Sequence, residues 1–237
     1  MKKSHVRNFH GKPPRKTPRI SLRPDQPLSL KNSLTFFFQK WRFRNIFCTF
    51  ANTIMGEKND ISLMLSLLHE LQGIDFVRQL RIITECHEFS PLIDDPLIYT
   101  VGGESGENYQ PLLDAARKAV EHGYKVFVLP NPKGFRTADY IFERKGIYKM
   151  FDLKTITGKN SVGNRLIESI GQTNHVVLNM ATDYEPRQLA KDIQYYFERN
   201  KDAREVLIMK GSKFLSVSRQ FVEGRDYIKM FMKRYLK

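Results

Sequence analysis

Three charged residues interrupt two segments that otherwise have the composition of half-buried strands. Asp139 lies in ADYIFERK, residues 138–145, while Asp152 and Lys154 lie in IYKMFDLKTI, residues 147–156. Strands of this kind favour β-branched and aromatic side chains over charged ones. Successive side chains of a strand point to opposite faces, so Asp152 and Lys154, two positions apart, share one face.

The link between the two segments predicts where Asp139 lies. Lys145 and Gly146 form a short connection typical of a hairpin. In such a hairpin, residues whose numbers sum to about 291 face each other across the two strands. The sequence therefore predicts that Asp139 lies opposite Asp152, with Lys154 beside them.

Two carboxylates and an ammonium group have a chemical use when they converge. Carboxylate oxygens are ligands that suit Mg²⁺ or Mn²⁺, and the cation removes the repulsion between the acids. A bound divalent ion activates water and a phosphoryl oxygen, and a lysine beside it stabilises charge on the phosphate. The set favours phosphodiester hydrolysis. The alternative is a ladder of salt bridges on a solvated strand face, which produces the same spacing.

The elements around these residues predict an α/β fold. From residue 108 onward, the pattern gives the order α-β-β-β-α-β-α-β-β-α, which is typical of a mixed central sheet flanked by helices. HVVLNM, residues 175–180, is nearly all apolar and is predicted to be a central strand. Two helical stretches precede this block, and residues 91–103 are interpreted as a linker because of their Pro and Gly content.

The text from Gly103 to Met180 resembles a known family. GENYQPLLDAARKAVEHGYKVFVLPNP, ADYIFERKGIYKMFDLKT, a Gly-Lys-Asn-Ser turn into a helix, and HVVLNM are similar to the PD-(D/E)xK nuclease superfamily. Within it they resemble the CdiA-type C-terminal toxin nucleases of contact-dependent growth inhibition, several of which cleave tRNA. The resemblance covers about a third of the chain and implies a restriction-endonuclease-like αβββαβ core.

The same resemblance implies roles for individual residues. Asp139 matches the first aspartate of the motif, Asp152 the acid of (D/E)xK, and Lys154 its lysine. Glu107 would be the third acid at the metal, with Glu104 as the competing candidate. Ala138 replaces the motif's proline. The implied cofactor is Mg²⁺ or another divalent ion such as Mn²⁺ or Zn²⁺, and the implied partners are nucleic acid, tRNA first, and an immunity protein.

The segment after the triplet carries candidate nucleic-acid contacts. In TITGKNSVGNRL, the side chains of Thr155, Thr157, Lys159 and Ser161 offer hydroxyls and an ammonium near a helix N-terminus, and Arg165 follows on the helix. These groups suit phosphate oxygens. The alternative for Ser161 is plain capping of the helix.

Charge divides the chain unevenly. Residues 1–54 hold twelve Lys or Arg against one acid, whereas the remaining residues hold 27 basic and 24 acidic side chains. We therefore predict a basic, Pro- and aromatic-rich, largely disordered arm at 1–54, a helical segment at 55–99 and a nuclease domain at 100–237. The near-neutral balance outside the arm argues against a long duplex footprint.

Two cysteines without zinc-finger spacing indicate neither a disulfide framework nor a metal knuckle. The sequence contains no long apolar run, so we expect no membrane segment and a cytoplasmic location. The leading hypothesis is a metal-dependent endonuclease acting on RNA. The alternatives are a DNA endonuclease of a mobile element with the same fold, and a non-catalytic module that binds nucleic acid or protein.

Overall fold

The computed structural model describes residues 61–102, 109–130, 137–159 and 161–237. Within these ranges, eight strands form one sheet whose spatial order follows the chain. The strands are Phe89–Pro91 (β1), Ile98–Val101 (β2), Lys125–Val128 (β3), Tyr140–Arg144 (β4), Ile147–Ile156 (β5), His175–Met180 (β6), Glu205–Lys210 (β7) and Lys213–Ser218 (β8). The pairs β2/β3, β5/β6 and β6/β7 are parallel, and the other pairs are antiparallel.

Helices cover both faces of the sheet. They are Ile61–Leu67 (α1), Gly73–Thr84 (α2), Tyr109–Glu121 (α3), Val162–Glu168 (α4), Pro186–Arg199 (α5), Arg219–Val222 (α6) and Tyr227–Tyr235 (α7), with a 3-10 turn at Leu68–Glu70. The predicted fold class, a mixed central sheet flanked by helices, is confirmed. The arm predicted at residues 1–54 lies outside the described residues.

We call face B the side of the sheet on which α3 packs, and face A the opposite side. On face A, α1 and α2 form one apolar cluster with β1, β3, β4 and the start of β5. A second cluster on the same face joins α4, α5 and α7 to β6, β7, β8 and the end of β5. Met150 of β5 belongs to the first cluster and Ile156 to the second. The stretch of β5 between them lies at the junction of the two clusters.

The hairpin register follows the prediction. Tyr140 pairs with Phe151 and Arg144 with Ile147, so the paired numbers sum to 291. Lys145 and Gly146 make the turn with positive φ angles of 54° and 77°. Strand β6 is buried from its second residue onward and lies between β5 and β7, as its apolar sequence predicts.

The linker predicted at residues 91–103 is wrong. β2 lies within it, pairs in parallel with β3 and buries alternate residues, and β1 is paired to β2. The sheet therefore runs across the boundary predicted between residues 99 and 100. The prolines misled the prediction because Pro91 lies at the end of an edge strand, where a missing N–H costs no ladder bond.

The start of helix α4 decides one of the two interpretations of Ser161. Ser161 is at the N-cap position, yet its hydroxyl donates to the carbonyl of Gly158 and does not cap the helix. The helix ends at Glu168. Among the described residues, the helices are too short and too polar to cross a lipid bilayer.

Candidate functional site

Asp139 lies directly before β4, and backbone hydrogen bonds fix it between two strands. Its N–H donates to the carbonyl of Phe151 at 3.0 Å, and its carbonyl accepts from the N–H of Leu129 at 2.9 Å. Its side chain accepts a 2.6 Å hydrogen bond from the N–H of Leu153. Because two hydrogen bonds to β5 and one to the residue after β3 hold Asp139, its carboxylate is positioned before any ligand arrives.

Asp152 and Lys154 form a buried ion pair on β5. The Lys154 ammonium donates to Oδ1 of Asp152 at 2.9 Å and lies 2.7 Å from Oδ2. The side chains of Asp152 and Lys154 are only 3% and 14% exposed. Oδ2 has no aligned hydrogen-bond donor among the described residues, despite the nearby ammonium. Asp152 therefore keeps one buried oxygen that can accept a further partner.

The two carboxyl groups contact each other. Burial raises the pKa of Asp139 to about 7, the Leu153 N–H lowers it, and the charge of Asp152 raises it again. Burial also raises the pKa of Asp152, partly offset by the Lys154 hydrogen bond. A hydrogen bond between the two carboxyl groups raises the pKa of Asp139 and lowers that of Asp152, so Asp139 is the acid that takes up a proton first. Two adjacent acids with pKa values raised by burial have the electrostatics that a cation relieves.

The structure thus brings together three of the four residues predicted to be catalytic: Asp139, Asp152 and Lys154. Glu107 and its competitor Glu104 lie outside the described residues. Within the described ranges, no group of three His, Cys, Asp or Glu side chains is close enough to hold a metal ion. A full ligand set would need a further acid.

The sequence reasoning missed Glu168, near the end of α4. Its charge contributes to raising the pKa of Asp152, so it belongs to the electrostatic surroundings of the site. It is half exposed and pairs with Arg165 at 3.0 Å. Its signal in the sequence is weak, because an acid three residues after an arginine on a helix is a common surface pair.

The predicted nucleic-acid contacts divide into two groups. Thr155 alternates with Lys154 on β5 and therefore lies on face B, away from the carboxylates. Thr157 and Lys159 are exposed beyond the end of β5, and Arg165 is exposed on α4. Ser161 is partly buried and bonded to Gly158. The exposed residues keep side chains available for phosphate, whereas the structure does not bring Thr155 to the site.

Comparisons with known proteins give a remote likeness. No family model matches the chain, and no curated protein matches it. Among solved structures, a chain of a CdiA-CT/CdiI toxin and immunity complex from Burkholderia pseudomallei is similar, at 20% sequence identity and a TM-score of 0.35. The alignment covers 48% of this chain and 89% of that chain. A likeness of this size assigns no activity.

Proposed function

We propose that the protein is a metal-dependent endonuclease that hydrolyses phosphodiester bonds. The observation that supports this most directly is the contact between the half-buried carboxyl group of Asp139 and the buried one of Asp152, with the ammonium of Lys154 beside them. Buried acids are costly to keep charged, and a pair of them is more costly still. A divalent cation bound between them would relieve that cost.

The residues present fit a divalent cation. Oδ2 of Asp152 is buried without an aligned donor, and Asp139 holds a proton at a pKa of about 7 that a cation would displace. Asp139 and Asp152 would hold the ion, with Glu107 as the proposed third ligand. When bound, a divalent ion polarises a phosphoryl oxygen and lowers the pKa of a water molecule.

Lys154 has a separate role in this proposal. Its ammonium lies at Asp152 and is largely shielded from solvent. From that position it donates a hydrogen bond to the attacking water or to a non-bridging phosphate oxygen, where negative charge develops. The N–H of Leu153 orients the carboxylate of Asp139. The loop after β5 would hold the nucleic-acid backbone through Thr157, Lys159 and Ser161, with Arg165 beside it.

The substrate and partner follow from the sequence resemblance. Residues Gly103 to Met180 resemble CdiA-type toxin nucleases, so we propose RNA, and tRNA first, as the substrate. The same resemblance supports an immunity protein as the partner that blocks the site. The basic residues of 1–54 would add attraction to phosphates that does not depend on sequence.

The test is a cleavage assay with purified protein. Unfractionated tRNA, single-stranded DNA and duplex DNA are incubated side by side with Mg²⁺ or Mn²⁺. The proposal expects tRNA to be cut, and expects Asp152→Asn and Lys154→Met each to abolish cutting while the fold persists by circular dichroism. Cutting of DNA alone would replace the RNA proposal with the mobile-element alternative.

A matched control separates charge at the site from charge in general. Asp183 is an exposed aspartate, 94% accessible, that pairs with Lys210. Asp183→Asn removes one carboxylate from the same protein and should leave cleavage intact. Cleavage that survives both site substitutions and excess EDTA would overturn the nuclease proposal.

A further inference from the structure

A cavity of about 700 Å³ is lined by residues that lie one and two positions from the two acids in the chain. Its walls come from α1 and α2, from the connection between α4 and β6, and from the connection between α5 and β7. Ala138, the neighbour of Asp139, lines it, and so does Met150, which precedes Asp152 by two positions on the same face of β5. None of the site residues predicted from the sequence lines the cavity.

The lining combines flat apolar surface with hydrogen-bonding groups. Phe76, Leu68 and Met150 supply apolar walls, while Gln172 and Asn174 supply amides. The volume lies in the range of about 300–1,000 Å³ that small-ligand sites occupy. A nucleobase has the matching chemistry, because its faces stack on aromatic and apolar side chains and its edges exchange hydrogen bonds with amides.

Arg204 adds a positive charge to the lining. Its backbone N–H donates to the carbonyl of Asn174 at 2.7 Å, which ties together the two connections that border the cavity. Within the described part of the chain, its exposed guanidinium makes no hydrogen bond and no ion pair. Asp202, in the same connection, also lines the cavity and is exposed. An arginine without a partner beside amide groups suits a phosphate of a bound strand.

We propose that this cavity binds the nucleoside next to the cleaved phosphate of a single-stranded RNA segment, with Arg204 on a flanking phosphate. The inference rests on the proposed function, because it assumes a cleaved phosphate at Asp139 and Asp152. Ala138 and Met150 line the cavity and precede these two acids in the chain by one and two positions. A base must leave its stack to enter a cavity, so unpaired loops and ends are favoured over a duplex. The enzyme would therefore prefer RNA substrates with unstacked nucleotides at the cleaved position.

The first experiment measures binding without metal or cleavage. Each of the four nucleoside 5′-monophosphates is titrated into the full chain by calorimetry, with ribose 5-phosphate as the probe that lacks a base. At least one nucleotide should bind about tenfold more tightly than ribose 5-phosphate, and Phe76→Leu should remove that difference. Equal binding of ribose 5-phosphate and all four nucleotides would overturn the proposal.

The second experiment tests Arg204 against a matched control. Lys201 lies in the same connection and is exposed, yet does not line the cavity. With tRNA as substrate, Arg204→Gln should raise KM about five- to tenfold with kcat nearly unchanged, and Lys201→Gln should not. If the wild type cleaves and both variants behave alike, the cavity proposal fails and the nuclease proposal stands. If the wild type cleaves no nucleic acid, the nuclease proposal fails, and the placement beside a cleaved phosphate fails with it.

Discussion

The carboxylate of Asp139 accepts a 2.6 Å hydrogen bond from the N–H of Leu153, the residue between Asp152 and Lys154. The side chain of Asp139 thereby accepts a backbone hydrogen bond from β5 at a position just before the start of β4. The same bond fixes the first acid of the site relative to the second. Asp139 therefore has two roles, a structural one as the acceptor for the Leu153 N–H and a proposed functional one as an acid of the site.

Substitutions of Asp139 should separate its effect on stability from its effect on activity. Asp139→Ala leaves the Leu153 N–H without its partner and should lower the free energy of unfolding by about 1–3 kcal/mol. Asp139→Asn keeps an acceptor for that N–H and removes one of two adjacent negative charges. At pH 8, above the Asp139 pKa of about 7, it should be at least as stable as the wild type yet inactive. Urea unfolding measures both, and an equal loss of stability in the two variants would contradict this account.

Lys154 should stabilise the fold through Asp152. Lys154→Met keeps the aliphatic stem but leaves the Asp152 carboxylate buried without its cation, at a cost of roughly 3 kcal/mol. Asp152→Asn in the same chain removes the stranded charge and should recover most of the loss. A double-mutant cycle by urea unfolding measures the coupling, and strictly additive effects would show that the pair contributes nothing.

His175 should make stability depend on pH. Burial lowers its pKa from 6.5 to about 4, Glu205 raises it, and the charges of Lys149 and Arg204 lower it further. In the unfolded chain this histidine takes up a proton as pH falls below about 6.5, whereas in the folded chain it resists until about pH 4. The contribution of neutral His175 to the free energy of unfolding is therefore complete above pH 6.5. It falls by about 3 kcal/mol between pH 6.5 and pH 4.

The measurement for His175 compares the wild type with His175→Gln. Subtracting the two unfolding curves at each pH cancels the titration of other groups, including the site acids. The difference should grow in favour of the variant as pH falls from 6.5 to 4, and should be flat above pH 7. A difference independent of pH would mean that His175 titrates normally in the folded protein.

Substitution of Thr155 should have no effect on cleavage. Because it lies on face B, Thr155→Val, which conserves shape and β-branching, should leave cleavage of tRNA unchanged. Lys154→Met, one residue earlier on face A, serves as the contrasting variant. A large fall in kcat/KM for Thr155→Val at unchanged stability would show that Thr155 contributes to the site after all.

Lys159 and Arg165 should act through phosphate contacts. Lys159→Ala and Arg165→Ala should each weaken RNA binding at all sequences and reduce the slope of log K against log salt by about 1. Lys229→Ala, an exposed lysine on α7, is the matched control and should leave the slope unchanged. Filter binding of tRNA to Asp152→Asn protein at several salt concentrations supplies the slopes.

Local patterns carried much of the fold. The two-residue turn at Lys145 and Gly146 sets the register of β4 and β5, because a tight turn leaves the flanking strands one pairing. The apolar run of β6 required cover on both faces, and it lies centrally. In contrast, β1 and β2 are only three and four residues long with Pro91 and Pro96 near them, so the pairing of β2 with β3 and of β1 with β2 was not evident from the local sequence.

By itself, the amino-acid sequence determined the hairpin register that brings Asp139 next to Asp152 and the alternation that puts Lys154 on the face of Asp152, because turn length and side-chain alternation are local properties. Only the tertiary structure decided that these groups lie at the junction of two helical clusters, where burial raises the pKa values of both acids. It also decided that Glu168 influences Asp152 and that a cavity opens beside Ala138. Those features join residues far apart in the chain, and they arise from how the layers pack.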